Sequence, residues 1–328
     1  MNDRVFLWPE PARLELADLA GDRCSSASVE DQLRCLFGAE AVLFSSARSG
    51  LTAALEVMAV SRSELVWVPK FSSHCVLEAI ARVGTPTPAV TGDASPRVGL
   101  IYHQWGYVSR HGFDARVQII EDAVDSLLIP GRSPFASDGR FVLWSLPKAL
   151  ATIGGGVVFC HRNEDASALR TIRERRSESY IQAWLRWRAK KSDIASVYWN
   201  GGEAIQGGLV RPLRRQVSRK LMILETLVDG RLQLLRSIAP SLALMFERSG
   251  RLPSNLAMKI PSQWERTWGS GGQATAGLRF FNIGRSVPQS HWVQVAPLPV
   301  HIDVSRAMLD HLLKKTDFRG DNLELNLV

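Results

Sequence analysis

The sequence predicts an α/β fold, with a mostly parallel central sheet and helices on both faces. Short apolar runs alternate with segments of helical periodicity along residues 40–160, a pattern typical of parallel sheets. The chain has 328 residues, 45% hydrophobic and 22% charged, so it can form a substantial core. After about residue 212 the pattern changes, which predicts a smaller C-terminal α+β domain. We therefore expect a large domain over residues 1–212 and a small domain over residues 213–328.

The first half of the chain supplies most of the predicted elements. The predicted strands are apolar runs bounded by turn formers, at residues 41–44, 64–69, 98–103, 117–122, 141–145 and 156–160. The predicted helices cover residues 28–38, 51–60 and 75–83. Ser28 is the predicted N-cap of the first helix, and the segment SSARSG (residues 45–50) is predicted to be a loop.

The second half is charged and mainly helical. Residues 163–238 are predicted to be helical with an interruption at residues 200–202. Within this region, one long amphipathic helix is predicted over about 213–237. Residues 293–305 are predicted to form a strand and a loop, and residues 306–315 are predicted to form a further helix.

Charge and cysteine content limit the possible functions. The net charge is +8, and basic side chains concentrate between Arg170 and Arg219. A solvated helix face is one explanation, and attraction of a nucleotide diphosphate is another. Nucleic-acid binding is not expected, because no recognised motif accompanies the charge. The four cysteines are scattered, which predicts reduced thiols in the cytoplasm and no metal site. A membrane span or secretory signal is not expected either, since neither apolar pattern is present.

The most informative segment is FVLWSLPK, residues 141–148. It predicts a short buried strand that runs into a polar turn carrying Ser145 and Lys148. A lysine at the end of a buried strand is expected to be partly desolvated, which lowers its pKa and makes the amine nucleophilic toward aldehydes. That is the chemistry of a lysine that holds pyridoxal 5'-phosphate (PLP) as a Schiff base, with Ser145 within reach of the phosphate. A merely structural lysine is the alternative.

Other polar residues follow neighbouring strands. Ser49 and Gly50 lie before a predicted helix, where backbone amides favour a phosphate, although a capping turn without a ligand is equally compatible. Asp122 ends a predicted strand, and a carboxylate there could keep a pyridinium nitrogen protonated. The alternative for Glu121 and Asp122 is a charge pair at a helix N-terminus. Since carboxyl ends of parallel strands meet at one edge, these residues are expected to converge with Lys148.

Two histidines are further candidates. His103 ends the predicted strand 98–103 and could line the same crevice as a substrate-binding residue. His74 could stack on a flat cofactor ring. A packed or surface position is the alternative for each.

Five segments resemble, in order and spacing, the DegT/DnrJ/EryC1/StrS family of fold-type I PLP-dependent sugar aminotransferases. They are residues 49–55, 68–80, 101–107, 119–126 and 145–159, and a weaker similarity covers residues 296–305. The resemblance implies a fold-type I PLP-transferase-like architecture and PLP as the cofactor. It also implies a nucleotide-sugar substrate, an amino-acid donor such as glutamate, and a homodimer with active sites near the subunit interface.

The resemblance also implies a role for each matched residue. Lys148 would bind PLP and move a proton between the substrate and cofactor carbons. Asp122 would pair with the pyridine nitrogen, and Ser145 would hold the phosphate together with the backbone of Ser49 and Gly50. His103 would match the histidine of the family's V-H-x-x-G segment. The expected function is amino transfer to a nucleotide-linked keto sugar in cell-surface polysaccharide or secondary-metabolite biosynthesis.

The sequence departs from the family pattern at several positions. Asp125 stands where the family often has glutamine, and while ionised it could not donate the same bond to the cofactor phenol. Ser73 and His74 stand where an aromatic residue often stacks on the ring, and Ile153 replaces a glutamate before the glycines. Asn200 is a poor match to the segment that reaches across the dimer. These departures motivate a second hypothesis, a catalytically degenerate PLP-fold protein that acts as a binding or scaffold subunit.

Overall fold

The computed structural model describes residues 7–19, 24–88, 96–110, 113–137, 139–189, 207–259, 279–282 and 292–315. The strands are β1 Glu40–Phe44, β2 Leu65–Trp67, β3 Thr85–Thr87, β4 Val98–Tyr102, β5 Gln118–Asp122, β6 Ser126–Leu128, β7 Phe141–Ser145, β8 Gly156–Cys160, β9 Arg251–Pro253, β10 Asn255–Lys259, β11 Arg279–Asn282 and β12 Trp292–Pro299. The helices are α1 Leu16–Leu19, α2 Ser26–Phe37, α3 Ala47–Val57, α4 His74–Ala81, α5 Leu146–Leu150, α6 Asn163–Ala189, α7 Arg211–Met222, α8 Leu224–Ile238, α9 Pro240–Ser249 and α10 Arg306–Lys315.

Seven strands form the central sheet, in the order β1-β8-β7-β5-β4-β2-β3. The pairs β2–β3, β2–β4, β4–β5 and β5–β7 are parallel, whereas β8 runs antiparallel to both β1 and β7. The carboxyl ends of β4, β5 and β7 therefore lie at one edge of the sheet. This arrangement confirms the predicted mostly parallel sheet.

Helices cover both faces of the sheet, as the sequence predicts. In β7, Val142 and Trp144 belong to a core cluster that includes residues of α2, α7 and α8. The alternate residues Phe141 and Leu143 belong to a second cluster, packed with residues of α3, α4 and α6. Side chains in a strand point alternately to its two faces, so a strand buried on both sides is apolar at consecutive positions.

Several element boundaries differ from the predictions. Helix α3 starts at Ala47, so four of the six residues of the predicted loop 45–50 are helical, and Ser46 caps the helix by accepting a bond from the Ser49 N–H. The N-cap of α2 is Ser25 rather than Ser28, whose own N–H donates to the Ser25 hydroxyl at 3.0 Å. Strand β3 forms in a Pro/Thr-rich stretch for which no element was predicted.

The single helix predicted over 213–237 is wrong, because the structure has two helices that meet at Ile223. The apolar spacing continues through the break, with Leu221 and Leu224 both buried in the same cluster, so periodicity alone does not reveal it. That cluster also includes Leu33, so the core continues across residue 212. The domain boundary there stays a prediction.

The C-terminal part contains an antiparallel sheet of order β10-β12-β11 and the helix α10. Strand β9 does not join this sheet but pairs antiparallel with β6, which directly follows Asp125 in the chain. The predicted interruption at residues 200–202, including Asn200, lies outside the described residues. Among the described helices, none combines the length and apolar character that crossing a membrane requires.

Candidate active site

Lys148 lies in the short helix α5, directly after the carboxyl end of β7. Pro147 in its first turn favours helical backbone at this point, and Ala151 ends the helix in the left-handed region at φ 56°. Ser145 occupies the N-cap position, but its hydroxyl makes no capping bond. The segment therefore presents Ser145 and Lys148 together at the edge of the sheet.

The amine of Lys148 lies close to Asp125 and to the ring of Trp8. Its Nζ donates to Asp125 Oδ1 at 2.8 Å and lies 4.3 Å from the ring centroid of Trp8. Burial lowers the pKa of Lys148, but the charge and hydrogen bond of Asp125, together with smaller effects of Asp122 and Cys75, outweigh it, so the pKa is raised above its usual value. The lowered pKa expected from desolvation alone is thus wrong, because the sequence did not reveal the ion pair with Asp125.

Asp122 is the last residue of β5, so the alternative of a charge pair at a helix N-terminus is wrong. It is buried, with 7% of its surface exposed, and its Oδ1 accepts the Val124 N–H at 3.0 Å. Burial and the nearby charge of Asp125 raise the pKa of Asp122 to about 7, while the Val124 N–H and Lys148 act in the opposite direction. Asp122 can therefore hold or release a proton near neutral pH.

Glu121 precedes Asp122 but belongs to a separate, fully buried network. Its carboxylate accepts bonds from the His103 ring at 2.7 Å, from Arg251 at 3.3 Å and from three backbone N–H groups of residues 136–139. Burial alone would raise the pKa of Glu121, but these donors and the Arg251 charge lower it. Glu121 is an ionised structural carboxylate.

His103 is fully buried within that network. The Ser109 N–H donates to His103 Nδ1 at 3.1 Å, so the proton is on Nε2, which donates to Glu121. Burial lowers the pKa of His103 to about 4, so the ring is neutral at physiological pH. Both nitrogens are used within the protein. This geometry favours a structural role, and substrate binding by His103 stays a prediction.

Ser49 and Gly50 lie in the first turn of α3, and both are buried. The Ser49 N–H donates to the Ser46 hydroxyl and the Gly50 N–H to the Ser46 carbonyl, each at 3.1 Å. A side chain at Gly50 would place its Cβ 2.6 Å from Val158 Cγ2, so close packing against β8 explains the glycine. The role of both residues in holding a phosphate stays a prediction.

The glycines that follow Lys148 bring β8 against the start of α3. Gly155 has φ +116°, and its N–H donates to the Ser45 carbonyl at 2.8 Å. A Cβ on Gly156 would lie 2.1 Å from the Ala47 nitrogen. Only glycine fits between these backbones, which fixes the position of the α3 N-terminus relative to β7 and α5.

His74 is the first residue of α4 and is exposed, at the carboxyl side of β2. Stacking of His74 on a cofactor stays a prediction.

Many arginines of the basic region lie in ion pairs: Arg170 and Arg173 with Glu30, Arg176 with Glu56, and Arg219 with Asp18. These pairs favour the structural explanation of the basic surplus over attraction of a nucleotide.

Trp8 and Arg231 lie near Lys148 but were not candidates from the sequence. The segment containing Trp8 is bound to the C-terminal part, since Asn255 Nδ2 donates to the Leu7 carbonyl at 3.1 Å and the Glu10 N–H donates to Asp303. Arg231 lines a small cavity together with Lys148. No sequence signal identifies either residue, because both approach the site only through tertiary structure.

The residues at this edge fit PLP. A primary amine, a buried carboxylate that binds a proton near pH 7 and a serine hydroxyl without a capping bond are the groups that its aldehyde, ring nitrogen and phosphate require. The described residues contain no group of three His, Cys, Asp or Glu side chains placed to hold a metal ion.

Comparison with known proteins gives an independent result. A family model described as "Putative PLP-dependent aminotransferase" matches residues 30–316. No curated protein matches the sequence. Solved structures have a similar fold at low identity. A DegT DnrJ EryC1 StrS aminotransferase from Brucella abortus is 14% identical, with a TM-score of 0.58 and 89% of each chain covered.

Two further structures cover almost the whole chain. DesI, solved in the presence of its TDP-sugar product, is 14% identical with a TM-score of 0.61, and 99% of this chain matches 94% of that one. The aminotransferase TlmJ from Streptoalloteichus hindustanus is 15% identical with a TM-score of 0.59, and 97% of this chain matches 98% of that one. At this identity the likeness concerns the fold.

Proposed function

The chain belongs to a family of PLP-dependent aminotransferases, and on this premise we propose that it transfers an amino group to a nucleotide-linked keto sugar. Glutamate is the proposed amino donor. The similarity of fold to DesI, which was solved with a TDP-sugar product, supports this class of acceptor. The proposed setting is the biosynthesis of a cell-surface polysaccharide or a secondary metabolite.

The observation that carries the proposal is the placement of Lys148 and Asp122 at one edge of the sheet. The two groups are close enough that the Lys148 charge lowers the pKa of Asp122. Asp125 interacts electrostatically with both groups. It accepts a hydrogen bond from Lys148 and raises the pKa of Lys148 and of Asp122. An amine that can bind an aldehyde and a carboxylate that can hold a proton on a ring nitrogen are two groups that PLP-dependent amino transfer uses.

The residues divide the work as follows. When bound, PLP supplies an electron sink that stabilises negative charge on a substrate carbon. Lys148 would use its Nζ to bind the cofactor and then to move a proton between carbon positions. Asp122 would keep a proton on the ring nitrogen. Asp125 would accept the hydrogen bond from Lys148 Nζ and so control the charge of that amine.

Two further features of the proposal concern the setting of the enzyme. A homodimer is proposed, and the exposed apolar side chains of Leu16, Leu19 and Met222 are suited to a subunit contact, with exposures of 83%, 59% and 72%. A cytoplasmic location is also proposed. The four cysteines are all free thiols, in agreement with a reducing compartment.

The test is an absorbance spectrum of purified protein after PLP addition, before and after glutamate. A yellow band that glutamate converts to the pyridoxamine form is expected, and Lys148→Ala should lose both the band and turnover. Colourless protein that ignores added PLP would favour the scaffold hypothesis instead. A band that ignores glutamate would contradict the proposed donor, and turnover retained by Lys148→Ala would contradict the role of this lysine.

A further inference from the structure

Arg231 lies in the middle of α8 and is almost completely buried, with 4% of its surface exposed. It lines a small cavity of about 10 Å³, which Lys148, Ser254 and His301 also line. The cavity lies between the carboxyl edge of the large sheet and the C-terminal part of the chain. A volume of this size holds about one water-sized group.

The guanidinium of Arg231 is not satisfied by the groups around it. Its Nη2 donates to the His301 carbonyl, while Nε and Nη1 are buried and have no hydrogen-bond partner among the described residues. Burial lowers the pKa of Arg231 to about 9, and the charge of Asp303 only partly offsets this effect. Asp303 itself accepts the Glu10 N–H and forms no ion pair with Arg231 within the described part of the chain.

Two other buried arginines show what Arg231 lacks. Arg173 is bonded to Glu30, and Arg251 is bonded to Glu121, so each buried guanidinium has a carboxylate. An unpaired buried charge is costly, which is why buried charges in proteins are normally paired. Arg231 is buried to a similar extent, but no carboxylate in the described part of the chain is bonded to it.

We propose that Arg231 binds a carboxylate group of the amino donor. The proposal rests on the proposed function, since it assumes that an amino acid delivers its nitrogen at Lys148. Guanidinium N–H groups bind carboxylates through strong, charge-assisted hydrogen bonds. The cavity would take one carboxylate oxygen, and Lys148, which also lines it, would contact the remainder of the donor.

The position of Arg231 fits this task in a second way. The elements β6 and α5 contribute Leu127, Lys148 and Ala149 to the lining of the cavity, and the C-terminal part of the chain contributes Ser254 and His301. Arg231 offers two buried nitrogen atoms as donors, and among the described residues that line the cavity there is no Asp or Glu to repel an anion. An anionic ligand would therefore contact both parts of the chain at once.

The experiment uses the PLP-loaded full-length protein and follows the spectral change that glutamate produces. Arg231→Gln should keep the cofactor band but raise the half-saturating glutamate concentration about 10-fold to 100-fold, as expected for a lost charge-assisted contact. Arg236→Gln is the matched control on the same helix. Arg236 is exposed and bonded to Glu247, so its substitution should leave the glutamate dependence unchanged.

A second measurement does not depend on turnover. Glutarate should compete with glutamate and raise the melting temperature of the wild-type protein, whereas its neutral diamide should do neither. In Arg231→Gln both effects of glutarate should be lost. Equal effects of glutarate and the diamide, or an unchanged glutamate dependence in Arg231→Gln, would overturn the proposal. If Arg231→Gln does not fold, the glutarate and diamide comparison on the wild type decides.

The outcomes separate the two proposals. A wild-type protein that binds PLP but ignores glutamate contradicts the proposed donor, while stabilisation by glutarate would still support a carboxylate site at Arg231. Weaker PLP binding in Arg231→Gln with an unchanged glutamate dependence would assign the guanidinium to the cofactor phosphate and overturn the carboxylate proposal.

Discussion

Glu121 and Asp122 are adjacent residues of β5 whose carboxyl pKa values move in opposite directions. Both are buried, but Glu121 accepts several hydrogen bonds and an Arg251 contact that lower its pKa. Asp122 accepts one backbone bond and faces the charge of Asp125, so burial dominates and its pKa rises to about 7. One strand end thus supplies a permanently ionised carboxylate to the core and a titrating one to the site.

Asp122→Asn should stabilise the cofactor-free protein at alkaline pH. The folded state holds a proton on Asp122 more tightly than the unfolded state, so the wild type loses stability as pH rises from about 4 to about 7. The asparagine variant lacks this loss, and its advantage at pH 8 has an upper bound of about 4 kcal/mol. Urea unfolding of both proteins between pH 5 and 8.5 measures it, and an advantage that does not grow with pH contradicts the assignment.

Asp125→Asn should allow PLP to bind Lys148 at lower pH. Lys148 faces Asp125, Asp122 and Cys75, and Asp125 is the main group that raises its pKa. Without that charge, burial lowers the pKa and increases the fraction of neutral amine. The pH dependence of the rate at which the cofactor band develops should therefore shift toward acid. Asp114→Asn, at an exposed aspartate bonded to Arg116, is the control and should leave the profile unchanged.

Glu121→Gln should destabilise the protein by about 3–5 kcal/mol, because Arg251 would keep its buried charge without a carboxylate. Asp31→Asn is the matched control. Asp31 binds Arg34, and both side chains are more than half exposed, so its loss should cost less than about 1 kcal/mol. Urea unfolding at pH 7 compares the two variants. Similar losses in the free energy of unfolding would contradict the claim that burial of the Glu121–Arg251 pair makes its disruption costly.

Gly156→Ala should prevent stable folding, whereas Gly230→Ala should stabilise the protein by about 0.5–1 kcal/mol. A Cβ at Gly156 would meet the backbone of Ala47 at 2.1 Å, while a Cβ at Gly230, within helix α8, meets nothing within 4 Å. The yield of folded protein and the melting temperature measure both changes. Normal folding of Gly156→Ala would show that the α3 N-terminus can move away from β8.

The sequence predicts the sheet well because its strands are buried on both faces. Runs such as Val157 to Cys160 in β8 are apolar at every position, which no exposed segment would tolerate. Short elements were missed where packing rather than composition decides. Strand β3 contains Pro86 between two threonines, a residue that strand patterns exclude, yet at the sheet edge it is accommodated.

The chemistry at Lys148 was predictable only in part. The order of residues along the strands placed Lys148 and Asp122 at one edge, because parallel strands share their carboxyl side. The partner of Lys148 could not be predicted, since Asp125 lies in the turn after β5 and approaches through the sheet geometry. Arg231 is farther along the chain still, and in the sequence it is one basic residue of an amphipathic helix.

The pairing of β6 with β9 has a consequence for protein synthesis. Ser126 lies opposite Pro253, so β6 has no partner in this pair until the ribosome has added residues 251–253. Glu121 likewise has no Arg251 guanidinium to pair with until that residue has been synthesised. A nascent chain can assemble the large sheet first, but the edge next to Lys148 is completed late. Chains truncated before residue 251 should therefore fold incompletely and become targets for chaperones and proteases rather than immature enzymes.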